Sequence, residues 1–336
     1  MPTTTVVCCH EFGDPVKVLR VEPWELRPPG PGEVLVQMLA APINPADLNV
    51  IEGRYGKRPS LPAALGNEGV GEVLQLGPDV QTLAVGQWVR PEPGVGSWQQ
   101  QLVVAADRLT PLPDGLSVEQ AATLCVNPAT AWRMLHDVVA LEPGDWVVQN
   151  AATSGVGRAV IQIARVLGLN LVSVVRRPEA VEELVRALGA GQILLTEEVN
   201  LPRQIEQLTG GVRPRLALNG VGGPSALNLA RTLAPGGVHV TYGAMSRAPF
   251  TIPAALLIFN DLRFVGFWVT AWYERADPGQ VDAMLQRLAA LYANGTLTTH
   301  IEARYPLHQA GEALAHVLRP ERRGKVLLTM EPNPGS

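Results

Sequence analysis

Residues 146–177 constrain the fold of this chain more than any other stretch. They open with a short apolar run, Trp146–Gln149, which predicts a buried strand of a parallel sheet. Apolar side chains then recur at helical steps on one face, at Val156, Val160, Ile163 and Leu167. A second apolar run over residues 171–175 predicts the next strand. The stretch is therefore a βα unit followed by its partner strand.

The loop between the first strand and the helix is a predicted anion site. Its pattern over residues 151–157, Ala-x-x-Ser-Gly-Val-Gly, differs from the G-x-G-x-x-G fingerprint and is a weak signal alone. The first N–H groups of a helix lack internal partners, and the helix dipole is positive there. Gly155 and Gly157 allow the backbone to approach a phosphate closely.

Two arginines follow the second strand. An acidic residue at this position binds the unphosphorylated ribose of NADH, whereas this chain has Arg176 and Arg177. Guanidinium groups suit a 2′-phosphate, so the prediction is NADPH. The alternative is an ordinary strand–helix turn with two solvated arginines.

Composition limits the remaining classes. The chain has 336 residues, 46% of them hydrophobic and 17% charged, with a net charge of −4, which predicts two well-packed domains and no nucleic-acid partner. No apolar run reaches the roughly 18 residues that a membrane span needs. The cysteines, Cys8, Cys9 and Cys125, show no disulfide framework and no metal-ligand spacing. With no signal or transit peptide recognised, the chain is predicted to be cytoplasmic.

The chain divides into two predicted domains. Residues 1–125 have short apolar runs between Gly/Pro turns, which favour a barrel-like β domain. A helical stretch at 118–140 leads to alternating strands and helices over 146–266, a doubly wound parallel sheet. Its strands end in small or turn residues at 150–151, 219–223 and 242–244, and these loops are expected to converge on one dinucleotide. Short strands near 300–305 and 325–330 predict a return to the first domain.

Several motifs together resemble those of a known family. In chain order they are INPADLNVIEGRYG (43–56), GNEGVGEV (66–73), CVNPATAWRML (125–135), GDWVVQNAATSGVGRAVIQIA (144–164), LALNGVGG (216–223), VTYGAM (240–245), LLIFNDLRFVGFW (256–268) and KVLLTM (325–330). They resemble the zinc-independent 2-enoyl thioester reductases, of the trans-2-enoyl-CoA reductase type, within the medium-chain dehydrogenase/reductase superfamily.

The resemblance implies an architecture and an activity. It implies a GroES-like β-barrel catalytic domain formed by residues 1–125 with 270–336, and a Rossmann NADPH-binding domain over 126–269. The implied reaction is reduction of the C=C bond of an enoyl-CoA or enoyl-acyl-carrier-protein by NADPH. A homodimer is also implied, and we expect it to form through the edge strand near residues 237–242.

The resemblance also bears on metal binding. Zinc-dependent relatives have a cysteine near residues 44–47 and a histidine where this chain has Asn67, next to Glu68. A tetrahedral N/S site cannot be built from the residues present there. The histidines show no ligand spacing, at His10, His136, His239, His300, His308 and His316. The prediction is that the chain holds no metal.

The resemblance assigns catalysis to one tyrosine. In the family, a tyrosine hydroxyl stabilises the enolate or relays the proton after hydride attack on the β-carbon, and here the residue is Tyr55 in EGRYG. Without the resemblance, Tyr55 reads as a packing residue. Asp47 and Glu68 are expected near the active-site cleft without a catalytic role.

Cofactor contacts are carried over in the same way. The expected contacts are Asn127; Thr153, Ser154, Gly155, Val156 and Gly157 at the pyrophosphate; Arg176 and Arg177 at the 2′-phosphate; Tyr242, Gly243, Ala244 and Met245 at the adenosine side; Phe267, Trp268 and Val269 at the nicotinamide and acyl group; and Lys325. Alternatives remain: Asn127 as a helix cap, the aromatic residues as plain core, and Lys325 as a surface lysine.

Two other functions stay open at this point. A quinone or enone reductase of the same superfamily shares the fold and the cofactor. A non-catalytic NADPH-binding sensor or structural protein would bind the cofactor without turnover. Tyr55 in EGRYG, with the GNEG and GFW motifs, favours the thioester reductase.

Overall fold

The computed structural model describes residues 2–195 and 200–330. The strands, in chain order, are β1 (Thr3–Cys9), β2 (Leu19–Glu25), β3 (Glu33–Pro42), β4 (Ala63–Ala64), β5 (Val70–Leu76), β6 (Trp88–Pro91), β7 (Gln101–Ala105), β8 (Leu109–Pro111), β9 (Trp146–Gln149), β10 (Asn170–Val175), β11 (Gln192–Leu195), β12 (Leu216–Asn219), β13 (Val238–Thr241), β14 (Arg263–Gly266), β15 (Ile301–Pro306) and β16 (Lys325–Thr329). The helices are α1 (Pro15–Val18), α2 (Pro45–Ile51), α3 (Val118–Thr123), α4 (Asn127–Asp137), α5 (Gly155–Val166), α6 (Pro178–Leu188), α7 (Leu201–Leu208), α8 (Gly223–Ala230), α9 (Ala254–Ile258), α10 (Val269–Tyr273), α11 (Pro278–Ala293) and α12 (Ala310–Val317).

The chain forms two compact units, Met1–Val126 with Pro278–Ser336, and Asn127–Asp277. The first unit is built from β-sheets whose strands are joined mainly by turns. One sheet has the order β15-β16-β3-β5-β6-β8, with β7 also paired to β3, and a smaller sheet has the order β2-β1-β4. The predicted return of the chain's end is confirmed, since Leu327 of β16 lies opposite Pro42 of β3 in antiparallel register.

The second unit is a six-stranded sheet with the order β11-β10-β9-β12-β13-β14, and every pair in it is parallel. Successive residues of a strand point to opposite faces. Along β10, Val174 packs in one buried cluster with Ile205 of α7, whereas Val175 packs in another with Leu184 of α6. Helices therefore cover both faces, as the alternating pattern predicts for a doubly wound sheet.

One predicted edge is wrong. The strand near residues 237–242, which is β13, does not lie at the edge of the sheet, because β14 pairs with it and places Val265 opposite Val240. β14 has only four residues and is partly exposed, so its sequence lacks the continuous apolar run that marks the central strands. Within the described residues, β14 is the edge strand on this side.

None of the helices in residues 2–195 and 200–330 combines the length and apolar character that crossing a membrane requires.

Candidate active site

Most of the predicted cofactor residues directly follow the carboxyl ends of strands in the parallel sheet. Because its strands all run in the same direction, their carboxyl ends lie on the same side of the sheet, where ligands of such folds bind. The residues there are Thr153, Ser154, Gly155, Val156 and Gly157 after β9, Arg176 and Arg177 after β10, Tyr242, Gly243, Ala244 and Met245 after β13, and Phe267, Trp268 and Val269 after β14. Asn127 begins α4 in the same unit, whereas Tyr55 and Lys325 belong to the first unit.

Two buried asparagines mark the point where the strand order reverses. β9 and β12 are neighbours, and the chain winds away from them in opposite directions. Asn150 Nδ2 donates to Asn219 Oδ1 at 2.8 Å, and Asn150 Oδ1 accepts from the Gly220 amide at 2.7 Å. Asn219 Oδ1 also accepts from the Gly222 amide, and its Nδ2 donates to Thr241 Oγ1 at 3.2 Å. The three loops therefore lie together, and their convergence on one dinucleotide stays a prediction.

The loop after β9 packs its helix tightly against the strand. Ser154 caps α5, since its Oγ accepts from the Gly157 amide at 3.1 Å. A Cβ on Gly157 would lie 2.4 Å from the carbonyl oxygen of Ala151, so only glycine fits there. Ala151 itself has a φ of 50°, in the left-handed region. The result is a helix start held close to the sheet edge, as phosphate binding at a dinucleotide fold requires.

A hydroxyl without an ordinary partner lies beside this loop. The Tyr242 hydroxyl is buried, and within the described residues it makes no hydrogen bond of normal geometry. Burial raises the pKa of Tyr242 to about 12, and the nearby Ser154 hydroxyl acts in the opposite direction. A Cβ on Gly220 would lie 2.8 Å from the Tyr242 oxygen. A neutral donor with spare capacity next to a helix start fits a phosphate or ribose oxygen of a bound dinucleotide.

The two arginines after β10 differ in exposure, but neither side chain has a partner within the described residues. Arg176 is exposed, and Arg177 is half-buried at the N-cap of α6. Within residues 2–195 and 200–330, neither guanidinium forms a hydrogen bond or an ion pair, whereas Arg158 on α5 pairs with Glu183. Two uncompensated cations at the end of the second strand fit a phosphate group on the adenosine ribose.

Tyr55 lies in a constrained turn of the first unit. α2 ends at Ile51, and Gly53 follows with a φ of 68°; a Cβ there would lie 3.0 Å from the Phe12 side chain. Tyr55 comes two residues later, half-buried and packed against the main core of the unit. Its ring is therefore anchored at one side by packing.

Comparison with known proteins decides the family. A model described as an alcohol dehydrogenase GroES-like domain matches residues 30–114, and one described as a zinc-binding dehydrogenase matches residues 155–290. The mitochondrial enoyl-[acyl-carrier-protein] reductase of Mus musculus is 44% identical over 322 residues, which cover 95% of this chain and 86% of the mouse protein. The chain belongs to the enoyl thioester reductase family of the medium-chain dehydrogenases/reductases.

Solved structures show the same fold in two kinds of reductase. The complex of Etr1p with NADP and crotonyl-CoA has a TM-score of 0.87 at 32% identity, covering 98% of this chain and 100% of Etr1p. A Bacillus thuringiensis protein provisionally described as an NADPH:quinone reductase has a TM-score of 0.91, also at 32% identity, covering 98% of this chain and 100% of that protein. Backbone similarity to solved structures therefore does not separate the two activities, and the site residues must do so.

In this enoyl thioester reductase, a buried polar network joins residues of α2, of the segment before β5 and of β16. Asp47 accepts from the Asn44 amide at 2.6 Å and from Asn67 Nδ2 at 2.7 Å. Asn44 Nδ2 donates to Glu68 at 2.8 Å, and Lys325 Nζ donates to Asn44 Oδ1. The buried polar side chains of this network thus satisfy one another by hydrogen bonding.

Burial shifts the pKa values of the ionisable groups in this network. Burial raises the pKa of Asp47 to about 6, against the hydrogen bonds from Asn44 and Asn67. Burial also raises the pKa of Glu68 and lowers that of Lys325 to about 8, and the Lys325–Glu68 attraction opposes both shifts. Lys325 is only 7% exposed, so it is not the surface lysine of the alternative prediction. Its role as a cofactor contact stays a prediction, as do those of the other site residues.

Sequence reasoning missed the bonds of Asn150 and Asn219. Both were recognised only as turn residues at strand ends, yet they connect three loops. The available signal was that two separate apolar strands are each followed or ended by an asparagine, at positions 150 and 219. Asparagine can donate and accept at once, which a junction of two loops requires.

Proposed function

We propose that this chain reduces the C=C bond of trans-2-enoyl thioesters, carried by CoA or acyl carrier protein, with NADPH. The observation that carries the proposal is the 44% identity to an enoyl-[acyl-carrier-protein] reductase over 95% of the chain. The neighbouring structure with NADP and crotonyl-CoA supports both the cofactor and the substrate class. In the proposed reaction, NADPH supplies a hydride to the β-carbon of the substrate.

The residues of the parallel sheet would bind the cofactor. The start of α5, with Ser154 as its cap and Gly157 at the close approach, would hold the pyrophosphate. Arg176 and Arg177 would bind the 2′-phosphate, and their lack of partners in the described part of the chain supports this role. Tyr242 would donate its hydroxyl, which makes no hydrogen bond of normal geometry within the described residues, to a phosphate or ribose oxygen.

Tyr55 would handle the charge that develops on the substrate. Hydride addition to the β-carbon moves electrons onto the thioester oxygen, and a hydroxyl placed there stabilises the enolate or passes a proton to the α-carbon. The packed ring of Tyr55 supports this role, because a hydroxyl on an anchored ring needs little reorganisation. The proposal assigns Asp47 and Glu68 to the buried network and not to chemistry.

A second candidate is reduction of quinones or enones by NADPH. The Bacillus thuringiensis neighbour favours it, at a TM-score of 0.91. The two functions separate in one experiment, in which NADPH oxidation is followed with crotonyl-CoA, a medium-chain trans-2-enoyl-CoA and a quinone. Turnover of the enoyl thioesters supports the proposal, and turnover of the quinone alone overturns it. Cofactor binding without oxidation by any substrate would identify a non-catalytic binding protein.

The proposed assembly is a homodimer through the edge strand β14. Strand edges offer unpaired backbone groups to a second copy. Next to β14, α9 and the residue after it expose Ile258 and Phe259, 69% and 79% accessible, and Val265 of β14 is also exposed. Apolar side chains beside an open edge fit burial against a second copy.

The proposed compartment is the cytoplasm. The cysteines Cys8, Cys9 and Cys125 are buried and form no disulfide within the described residues, which fits a reducing compartment. The curated relatives are named as mitochondrial proteins, a compartment whose chemistry also leaves buried thiols reduced. Localisation of the tagged full-length chain in its own cells tests the assignment.

A further inference from the structure

Three side chains with metal-binding atoms meet in the small sheet of the first unit. Cys8 lies in β1, His10 directly follows that strand, and Glu22 lies in β2. Alternation along the strand places Cys8 and His10 on one face. The antiparallel register sets Glu22 opposite Val6, so its side chain points to that same face. The sulfur, imidazole and carboxylate ligand atoms all lie within 4.8 Å of one another.

We propose that Cys8, His10 and Glu22 bind a divalent transition-metal ion, with Zn²⁺ as the preferred ion. Zn²⁺ takes thiolate, imidazole and carboxylate ligands at roughly 2.0–2.3 Å in tetrahedral geometry, so ligand atoms a few ångströms apart need only small shifts to close around it. Three protein ligands leave the fourth position to water. In the described part of the chain, no other group of histidine, cysteine and acidic residues is arranged in this way.

Charge and chemistry select this class of ion. A thiolate and a carboxylate together balance the two positive charges of the ion, and the neutral imidazole adds no charge. Thiolate and imidazole ligands favour zinc and related ions over Mg²⁺ or Ca²⁺, which prefer oxygen. On binding, the Cys8 thiol releases its proton to solvent and a metal–sulfur bond forms, so no oxidant or reductant is needed.

The surroundings of the cluster support a built site. Trp24 Nε1 donates to Glu22 Oε1 at 2.9 Å and fixes the carboxylate from outside, as partners of metal ligands commonly do. His10 Nε2 is hydrogen-bonded to the same oxygen at 2.9 Å, and the Cys8 thiol donates a hydrogen bond to the Glu22 carboxylate, so a bound ion would replace these two hydrogen bonds. The His10 side chain is 56% exposed. Cys8 is fully buried behind it. An ion can therefore enter from solvent past His10 and reach a sheltered sulfur.

The proposed site differs from the prediction that the cysteines and histidines of this chain share no ligand spacing. Cys8 and His10 form a Cys-x-His pair, and two-residue spacing brings ligands together on a strand, whereas a helix needs three or four. The third ligand comes from a neighbouring strand and is invisible in the linear sequence. The site lies in the sheet formed by β2, β1 and β4, apart from the Asn44–Glu68 network. An ion there would cross-link β1 to β2.

Metal titration of the full-length protein tests the proposal. Protein stripped with a chelator is titrated with Co²⁺ and then with Zn²⁺, and binding is followed by the thiolate-to-cobalt charge-transfer absorption. We expect one Co²⁺ per chain, displaced by Zn²⁺, with the absorption lost in Cys8→Ser. His10→Ala and Glu22→Gln should each weaken Zn²⁺ binding by more than the roughly 10–100-fold that loss of a supporting residue causes.

Control variants and a second readout keep the test decisive. His308→Ala and Glu25→Gln change an exposed histidine and an exposed acid of β2, and they should bind as the wild type does. Zn²⁺ should raise the melting temperature of the wild type and not that of His10→Ala, a surface change that leaves the fold intact. Absence of the charge-transfer absorption in the wild type, or equal Zn²⁺ affinity in the wild type and His10→Ala, overturns the proposal.

Discussion

Asn150 and Asn219 are joined side chain to side chain, 2.8 Å apart, between the carboxyl ends of the two central strands β9 and β12. Asn219 is fully buried, and it also accepts from two backbone amides.

Asn219→Ala leaves several buried polar groups without partners and should lower the free energy of unfolding by at least about 2 kcal/mol. NADPH affinity should fall as well, because the loops after both strands lose their common anchor. Urea unfolding and a fluorescence titration with NADPH measure the two effects. Asn228→Ala, at an exposed position of α8, is the control, and equal effects in both variants would contradict the anchoring role.

The Tyr55 hydroxyl can be removed with little disturbance of the fold. Tyr55→Phe keeps the packed ring and should lower kcat for crotonyl-CoA by roughly 10²–10⁴-fold, the range of a lost general acid. KM for NADPH should change little, since the cofactor contacts are proposed elsewhere. Steady-state kinetics at saturating NADPH give both values. Tyr305→Phe changes another half-buried tyrosine of the same unit and should retain activity. A Tyr55→Phe protein as active as the wild type would remove the proposed mechanism.

Arg176 and Arg177 should discriminate between the two nicotinamide cofactors. Replacing both with alanine should raise Kd for NADPH at least about tenfold, because charge-assisted hydrogen bonds to the 2′-phosphate are lost. Kd for NADH, which lacks that phosphate, should remain close to the wild-type value. Arg186→Ala is the matched control, an exposed arginine of α6 that pairs with Glu182. Equal losses for NADPH and NADH would rule out a phosphate-specific role.

His239 should make the second unit sensitive to acid. Burial lowers the pKa of His239 to about 4, and its ring lies between Phe250 and Phe264. The unfolded chain takes up the proton near the ordinary histidine pKa of about 6.5, so the contribution of His239 to stability is constant above that pH and falls as pH drops toward 4. The loss at pH 4 should reach roughly 3 kcal/mol. Melting temperatures between pH 7 and pH 4.5 should therefore fall less steeply for His239→Leu than for the wild type. His308→Ala should follow the wild-type curve, and parallel curves for all three proteins would contradict the assignment.

Phe259 tests the proposed dimer edge. It is 79% exposed beside β14, and Phe259→Lys places a charge where two copies would bury apolar surface. Sedimentation or light scattering should show a wild-type dimer and a variant that dissociates at concentrations where the wild type stays associated. Val85→Lys, an exposed apolar position of the first unit, should leave the dimer intact. A monomeric wild type would refute the proposed assembly.

The parts of the fold visible in the sequence were those that local patterns encode. β9 contains three consecutive apolar residues, and α5 shows its buried face at Val156 and Val160, so both were predictable. β14 was not, because its exposed residues give no such run. The pairing partner of a strand is a long-range property, and sequence periodicity does not contain it.

Contacts between distant segments also limited how much of the candidate sites could be predicted from the sequence. Arg176 and Arg177 could be predicted because they follow a recognisable strand. The bond from Lys325 to Asn44 joins residues 281 positions apart, and only the pairing of β16 with β3 brings them together. The Cys8, His10 and Glu22 cluster depends on the register of two strands in the same way. Physical proximity between distant segments is fixed by packing of the whole unit.

The first unit is formed by two chain segments that are separated in sequence, and this separation determines the order in which the units assemble during translation. β3 is complete once residue 42 leaves the ribosome, yet its neighbour β16 contributes Leu327 only near the end of synthesis. Asn127–Asp277, in contrast, is one uninterrupted segment that contains every strand of its own sheet. Because domains form as units, the second unit closes while synthesis continues, and β3 gains its neighbour β16 only from the last residues of the chain. A nascent protein stalled after residue 277 should thus yield to protease before residue 127 and resist it over residues 127–277.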